Sequence, residues 1–157
     1  MKIYEQGLVV WPLMIFLAGI VIYEINTGMI KDIAVFPAAL YFLIVAMRFG
    51  AKPWWHYLLG MIAILVIFVL FAILLEKLFD KEMIGGGAIK LWLVVGAALG
   101  IIAVLEAGAI FIVLFAVLYF IAVHFFEKNI LPSSPITTLS VIGVYIWHYG
   151  LKFFIPK

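Results

Sequence analysis

Gly85-Gly86-Gly87-Ala88-Ile89-Lys90-Leu91, GGGAIKL in one-letter form, follows the charged segment Glu76 to Glu82 and opens an apolar run without charge from Leu91 to Leu105. Glycine loses more backbone entropy on ordering than any other residue. Three in succession at a helix entrance therefore predict unusual dihedrals or the close approach of another backbone. A flexible turn is the plainer reading of the same residues, so the rest of the chain has to decide between the two.

Hydrophobic residues make up 69% of the 157 residues and charged residues 11%, a balance that requires lipid as the solvent for most side chains. The expected fold class is an all-α integral membrane protein, a bundle of about six transmembrane helices in one membrane-embedded domain over residues 1–157. The chain has no cysteine, which excludes disulfides, thiol nucleophiles and thiolate metal sites. A net charge of +2 without a basic run leaves no footprint for nucleic acid. Lys2 precedes an apolar stretch from Gly7, but no small-x-small cleavage site follows and the stretch continues to Tyr23, so it is read as a first span rather than a signal peptide.

Breaking the chain at its charge and Gly/Pro clusters gives six spans of roughly 15 to 20 residues. They run from Gly7 to Tyr23, Ile33 to Met47, His56 to Leu75, Ile89 to Leu105, Ala107 to Phe126 and Ile136 to Ile155. Short connections make neighbours antiparallel. Pro12 falls inside the first span, and Pro37 in the opening turn of the second, where a missing N–H costs little. Trp54, Trp55, His56 and Tyr57 read as an interfacial aromatic anchor, as do Trp147 and Tyr149. Lys and Arg fall five to each side (Lys31, Lys77, Lys81, Lys90 and Lys128 against Lys2, Arg48, Lys52, Lys152 and Lys157), so charge does not orient the bundle.

Alternation of six spans puts the loop after the first and the loop before the fourth on one membrane face. Glu24, in Tyr23-Glu24-Ile25-Asn26-Thr27-Gly28-Met29-Ile30-Lys31-Asp32, therefore shares a side with the glycines. A carboxylate at that border is costly against lipid and should face the bundle interior or water.

These residues carry a resemblance. An acid closing a helix, an Asp eight positions later, a Pro in the next helix and GGG-x-IKL after a further hairpin resemble the prepilin peptidase family, membrane aspartic proteases that cut the basic leader from type IV pilin-like precursors. Leu131-Pro132-Ser133-Ser134-Pro135-Ile136-Thr137-Thr138-Leu139 is similar to the family's Pro-x-x-Pro entrance to its last helix. Lacking the cysteine-paired insertion of the bifunctional members, the chain is similar to the short, core-only type. The resemblance implies a multi-pass protein of the cell inner (cytoplasmic) membrane, with pilin-like precursors and the lipid bilayer as partners and neither cofactor nor metal.

It further implies that Glu24 and Ala88, 64 residues apart, stand at the two catalytic Asp positions. Gly85, Gly86, Gly87, Lys90 and Asp32 would then serve as loop or substrate-binding residues. Aspartic proteolysis needs two carboxylates sharing a proton, and alanine supplies none. The expectation is an inactive protein, either a disabled enzyme or a natural pseudopeptidase that binds or escorts single-span partners. Asp32, Glu82 and Glu106 are not expected to substitute. Glu106 is expected to support packing or an interfacial hydrogen bond, His148 to sit at the interface, and His124 with Glu127 to lack the further ligands of a metal site. A transporter would require a paired intramembrane charge relay that the spans do not show.

Overall fold

Long apolar runs bounded by Gly, Pro and charge satisfy their backbone groups internally as helices, and six form among the described residues. They are α1 (Ile3–Thr27), α2 (Asp32–Phe49), α3 (Trp54–Phe79), α4 (Gly86–Leu99), α5 (Ile101–Phe126) and α6 (Ser133–Tyr149). The computed structural model describes residues 3–50, 52–80, 83–126 and 132–149. The end of α1 meets the start of α6, where Ser133 and Ser134 bond Glu24. The starts of α2 and α4 meet at Asp32 and Lys90. α1, α3 and α5 thus end on one face, called here the site face, from which α2, α4 and α6 begin.

Among the described residues four helices are long and apolar enough to cross a bilayer, over Val9–Thr27, Asp32–Phe49, Trp54–Phe79 and Ile101–Ala122, which makes this a multi-pass membrane protein. Their outer surfaces are apolar, with Ile62, Val66 and Leu70 on α3 and Val113 and Val117 on α5 all exposed. Outward-facing residues of this kind suit lipid tails rather than water.

At 14 residues, α4 is about 21 Å long at 1.5 Å per residue. It is also the most enclosed helix, with Leu91, Trp92, Val94, Val95 and Ala97 fully buried. Trp92 stacks on Phe68 at 4.4 Å between ring centroids and meets Phe111 edge-on at 5.4 Å, joining α3, α4 and α5 through one aromatic cluster.

The expected fourth span, Ile89 to Leu105, is corrected. α4 stops at Leu99, and Gly100, at φ 75°, turns the chain directly into α5. Glu106 therefore lies in the second turn of α5. The turn takes one residue and is buried against His56 and Tyr57 of α3, so none of the polar residues that usually mark a turn is present. A second correction follows from α2 beginning at Asp32. Pro37 is its sixth residue, past the opening turn, and leaves the Ile33 carbonyl without its helical donor. The fifth span begins at Ile101 rather than Ala107 and ends at Phe126 as expected, the other ends move outward by one to four residues on α1, α2, α3 and the starts of α4 and α6, and the expected end of the sixth span at Ile155 falls outside the described residues.

Glycines set how closely α3 and α4 approach. A Cβ on Gly96 would lie 2.9 Å from the Met61 backbone and one on Gly60 2.8 Å from the Gly100 carbonyl carbon. Gly96→Ala is therefore expected to cost about 1–3 kcal/mol in thermal unfolding in detergent, because two backbones must separate. Gly86→Ala, inside the first turn of α4 with nothing within 4 Å of its Cβ, serves as the control and is expected not to destabilise.

Candidate functional site

Asn26, Thr27 and Gly28 stop α1 as a turn signal should. Gly28 adopts φ 71° and donates its N–H to the Glu24 carbonyl at 2.7 Å, the left-handed glycine that commonly closes a helix. Thr27 Oγ1 donates to the Tyr23 carbonyl at 2.8 Å. This fixes Glu24 in the last turn of α1, pointing across to α6.

There the carboxylate meets four donors. Oε1 accepts from the Ser133 N–H at 3.2 Å and the Ser133 hydroxyl at 3.1 Å. Oε2 accepts from the Ser134 N–H at 2.7 Å and also from the Ser134 hydroxyl. A carboxylate offers about four lone-pair positions, and here all are taken. The first N–H groups of α6 lack intrahelical acceptors and carry the positive end of the helix dipole, so Glu24 both caps that helix and neutralises it. Ser133 and Ser134 are buried, so no water competes freely for these donors.

Across the site face, the three glycines divide into two kinds. A Cβ on Gly87 would come within 2.9 Å of Ile30 Cβ and 3.2 Å of its carbonyl oxygen, so the backbone brought close at Gly87 is the chain's own α1–α2 loop. Gly85 and Gly86 have nothing within 4 Å of such an atom, and Gly85 is extended at φ −69°, a conformation open to any residue. The unusual dihedrals expected of this stretch are therefore absent, and the close approach falls on one of its three residues. Ala88 follows as the third residue of α4, buried, with its N–H on the Gly85 carbonyl at 2.9 Å.

Glu24 and Ala88 line one open pocket of about 460 Å³, together with Gly85, Gly86, Ser133 and the α1–α2 loop. Asp32 and Lys90 line it too and are joined by an ion pair of 2.5 Å between Lys90 Nζ and Asp32 Oδ2. Beside it, the Lys31 ammonium stands over the Tyr23 ring, 5.4 Å from its centroid. The Tyr23 hydroxyl, by hydrogen bonding and by charge, raises Lys31 above the ordinary lysine value. That contribution to stability is complete below the ordinary value and disappears as pH climbs through the raised one.

The pocket thus gathers Glu24, Asp32, Gly85, Gly86, Gly87, Ala88 and Lys90. What the residues did not announce was the role of Ser133 and Ser134. Two serines ahead of Pro135 are a helix-start signal, since Ser caps and Pro suits the first turn, but nothing local names the acid they would hold.

On the opposite face His148 Nε2 contacts Glu106 Oε2, so Glu106 makes an interhelical pair between α5 and α6 away from the pocket. Glu82, Glu127 and Lys128 lie outside the described residues, as does the side chain of His124.

A family model described as the type IV leader peptidase family matches residues 11–126, well over half of the chain. The chain belongs to this family. Neither curated proteins nor solved structures gave a significant match. The leader peptidase match includes Glu24, the α1–α2 loop and all of α4, and ends at the last residue of α5. α6, whose serines bond Glu24, therefore lies beyond the matched segment and meets it through that carboxylate and through the Glu106–His148 pair with α5.

Proposed function

We propose that this chain is a non-cleaving member of the leader peptidase family, which receives the membrane-border segment of a type IV pilin-like precursor in the site-face pocket and leaves it intact. Glu24 and Ala88 stand in this reading at the family's two acid positions. All six helices cross the membrane, with α4 and α6 reaching the same two faces as the longer four. The site face is on the cytoplasmic side of the inner membrane, where a basic leader would remain.

The observation that carries the reading is the chemistry of the pocket. An acid–base pair needs one carboxylate to take a proton from water and a second carboxyl to polarise the scissile carbonyl. Glu24 has its acceptor positions filled by Ser133 and Ser134, and the methyl of Ala88 can neither take nor give a proton. Open space beside Gly85 and Gly86 supports binding all the same, since a partner's backbone could lie against residues without side chains.

The test places a photoreactive residue at Gly86 and reconstitutes the chain with a single-span precursor bearing a basic leader. Cross-linking to full-length precursor with no shortened product is expected. Cross-linking no stronger than with a leaderless helix, or a cut precursor, would refute the reading.

A further inference from the structure

The charged side chains lining the pocket are two carboxylates, Glu24 and Asp32, against one ammonium, Lys90. With Glu24 occupied by four donors, Asp32 is the lining carboxylate with acceptor positions to spare. Among the described residues Lys90 is its one hydrogen-bonding partner, and it reaches a single oxygen, Oδ2. Neither group is sealed in, since the Lys90 and Asp32 side chains are 37% and 52% exposed. The lysine carries a compact charge on a flexible four-carbon stem, so it can swing into water without moving its helix.

We propose that Lys90 is a placeholder on Asp32, displaced when a lysine or arginine side chain of the bound partner takes its place on that carboxylate. This rests on the reading that the pocket receives a leader-bearing helix, and it names Asp32 as the group that reads the leader's positive charge. The exchange conserves one ion pair at Asp32 and releases the Lys90 ammonium to solvent. The chain's own cation therefore competes with the partner's. If Lys90 instead orients the loop for binding, its removal has the opposite effect, and the sign of the change separates the two roles.

The experiment uses the full chain in nanodiscs and a dye-labelled synthetic single-span peptide with a lysine-rich leader, alongside the same peptide with those lysines changed to glutamine. Binding is read by energy transfer, with empty discs subtracted. Lys90→Gln is expected to tighten binding of the basic peptide about two- to fivefold, the range given by a partly exposed ion pair. Lys90→Arg, which can hold both Asp32 oxygens, is expected to weaken it. Asp32→Asn is expected to abolish the preference for the basic leader over the neutral one.

Weaker or unchanged binding by Lys90→Gln, or full discrimination retained by Asp32→Asn, would overturn the proposal while leaving the pocket as a helix-binding site. Failure of the wild-type chain to bind either peptide would overturn the binding reading and this proposal with it. If Lys90→Gln does not fold, as judged by circular dichroism, Lys90→Arg and Asp32→Asn still decide the outcome.

Discussion

A basic-leader precursor reconstituted with the wild-type chain is expected to stay uncut, and Glu24→Asp combined with Ala88→Asp to raise cutting by about 10³-fold or more. Groups that act as one catalytic unit are strongly non-additive, and loss of one can cost about 10⁴ to 10⁶ in turnover. Each single substitution should therefore achieve little. Ala88→Asp alone puts an acid in the first turn of α4 but leaves Glu24 held by four donors of α6. Glu24→Asp alone shortens the reach by one methylene, so that the carboxylate cannot keep both serines and both N–H groups and acceptor positions open toward the pocket. It still has no second carboxyl to work with. Only the double variant supplies two acids of which one is released. Initial rates of leader removal in liposomes, with circular dichroism to establish folding, decide the matter. A folded double variant that never cuts would show that this pocket does not retain the geometry of a protease, and a wild-type chain that cuts would show that Ala88 is not the missing acid.

Glu24→Gln is expected to have the largest effect on stability, about 3 kcal/mol, concentrated in α6. The change is nearly isosteric, so packing survives while the chemistry fails. An amide presents one acceptor oxygen and one donor NH2, and whichever way it is turned the NH2 faces an N–H and a hydroxyl of the same serine. Ser133 and Ser134 are buried, so the one N–H orphaned bears much of a desolvation penalty, and hydrogen bonds to charged groups are worth about 1.5–3 kcal/mol each. Ser134→Ala should cost less, about 1 kcal/mol, because the backbone N–H to Oε2 remains. Hydrogen exchange over residues 133–149 should show faster exchange in Glu24→Gln while α3 and α4, clasped by Gly60, Gly96 and the Trp92 cluster, keep their protection. Equal loosening of all six helices would mean that the carboxylate supports the whole bundle rather than one helix end.

The same carboxylate illustrates how far the residues alone could be read. Composition and the lengths of the apolar runs are enough for a membrane-spanning helical fold, because unbroken apolar runs of this length satisfy their backbones in lipid as helices, whereas a closed barrel needs strands that alternate polar and apolar residues. Alternation of spans then assigns the Glu24 loop and the Gly85 stretch to one face. Parity needs only the number of crossings, so it tolerates errors of several residues at each helix end. It tolerated the misplaced end of α4, where a buried turn of one glycine followed an apolar run with no polar marker.

Tertiary structure decided what each acid does. Glu24 bonds serines 109 and 110 positions away, and Asp32 bonds a lysine 58 positions away. Such partners leave no periodic or local signature, since a hydrogen bond depends on which helix ends meet in space rather than on spacing along the chain. Gly85, Gly86 and Gly87 look alike in the sequence, yet only Gly87 lies against another backbone while the other two face open space. That difference comes from where the α1–α2 loop packs, and loop packing is settled only when all six helices are in place.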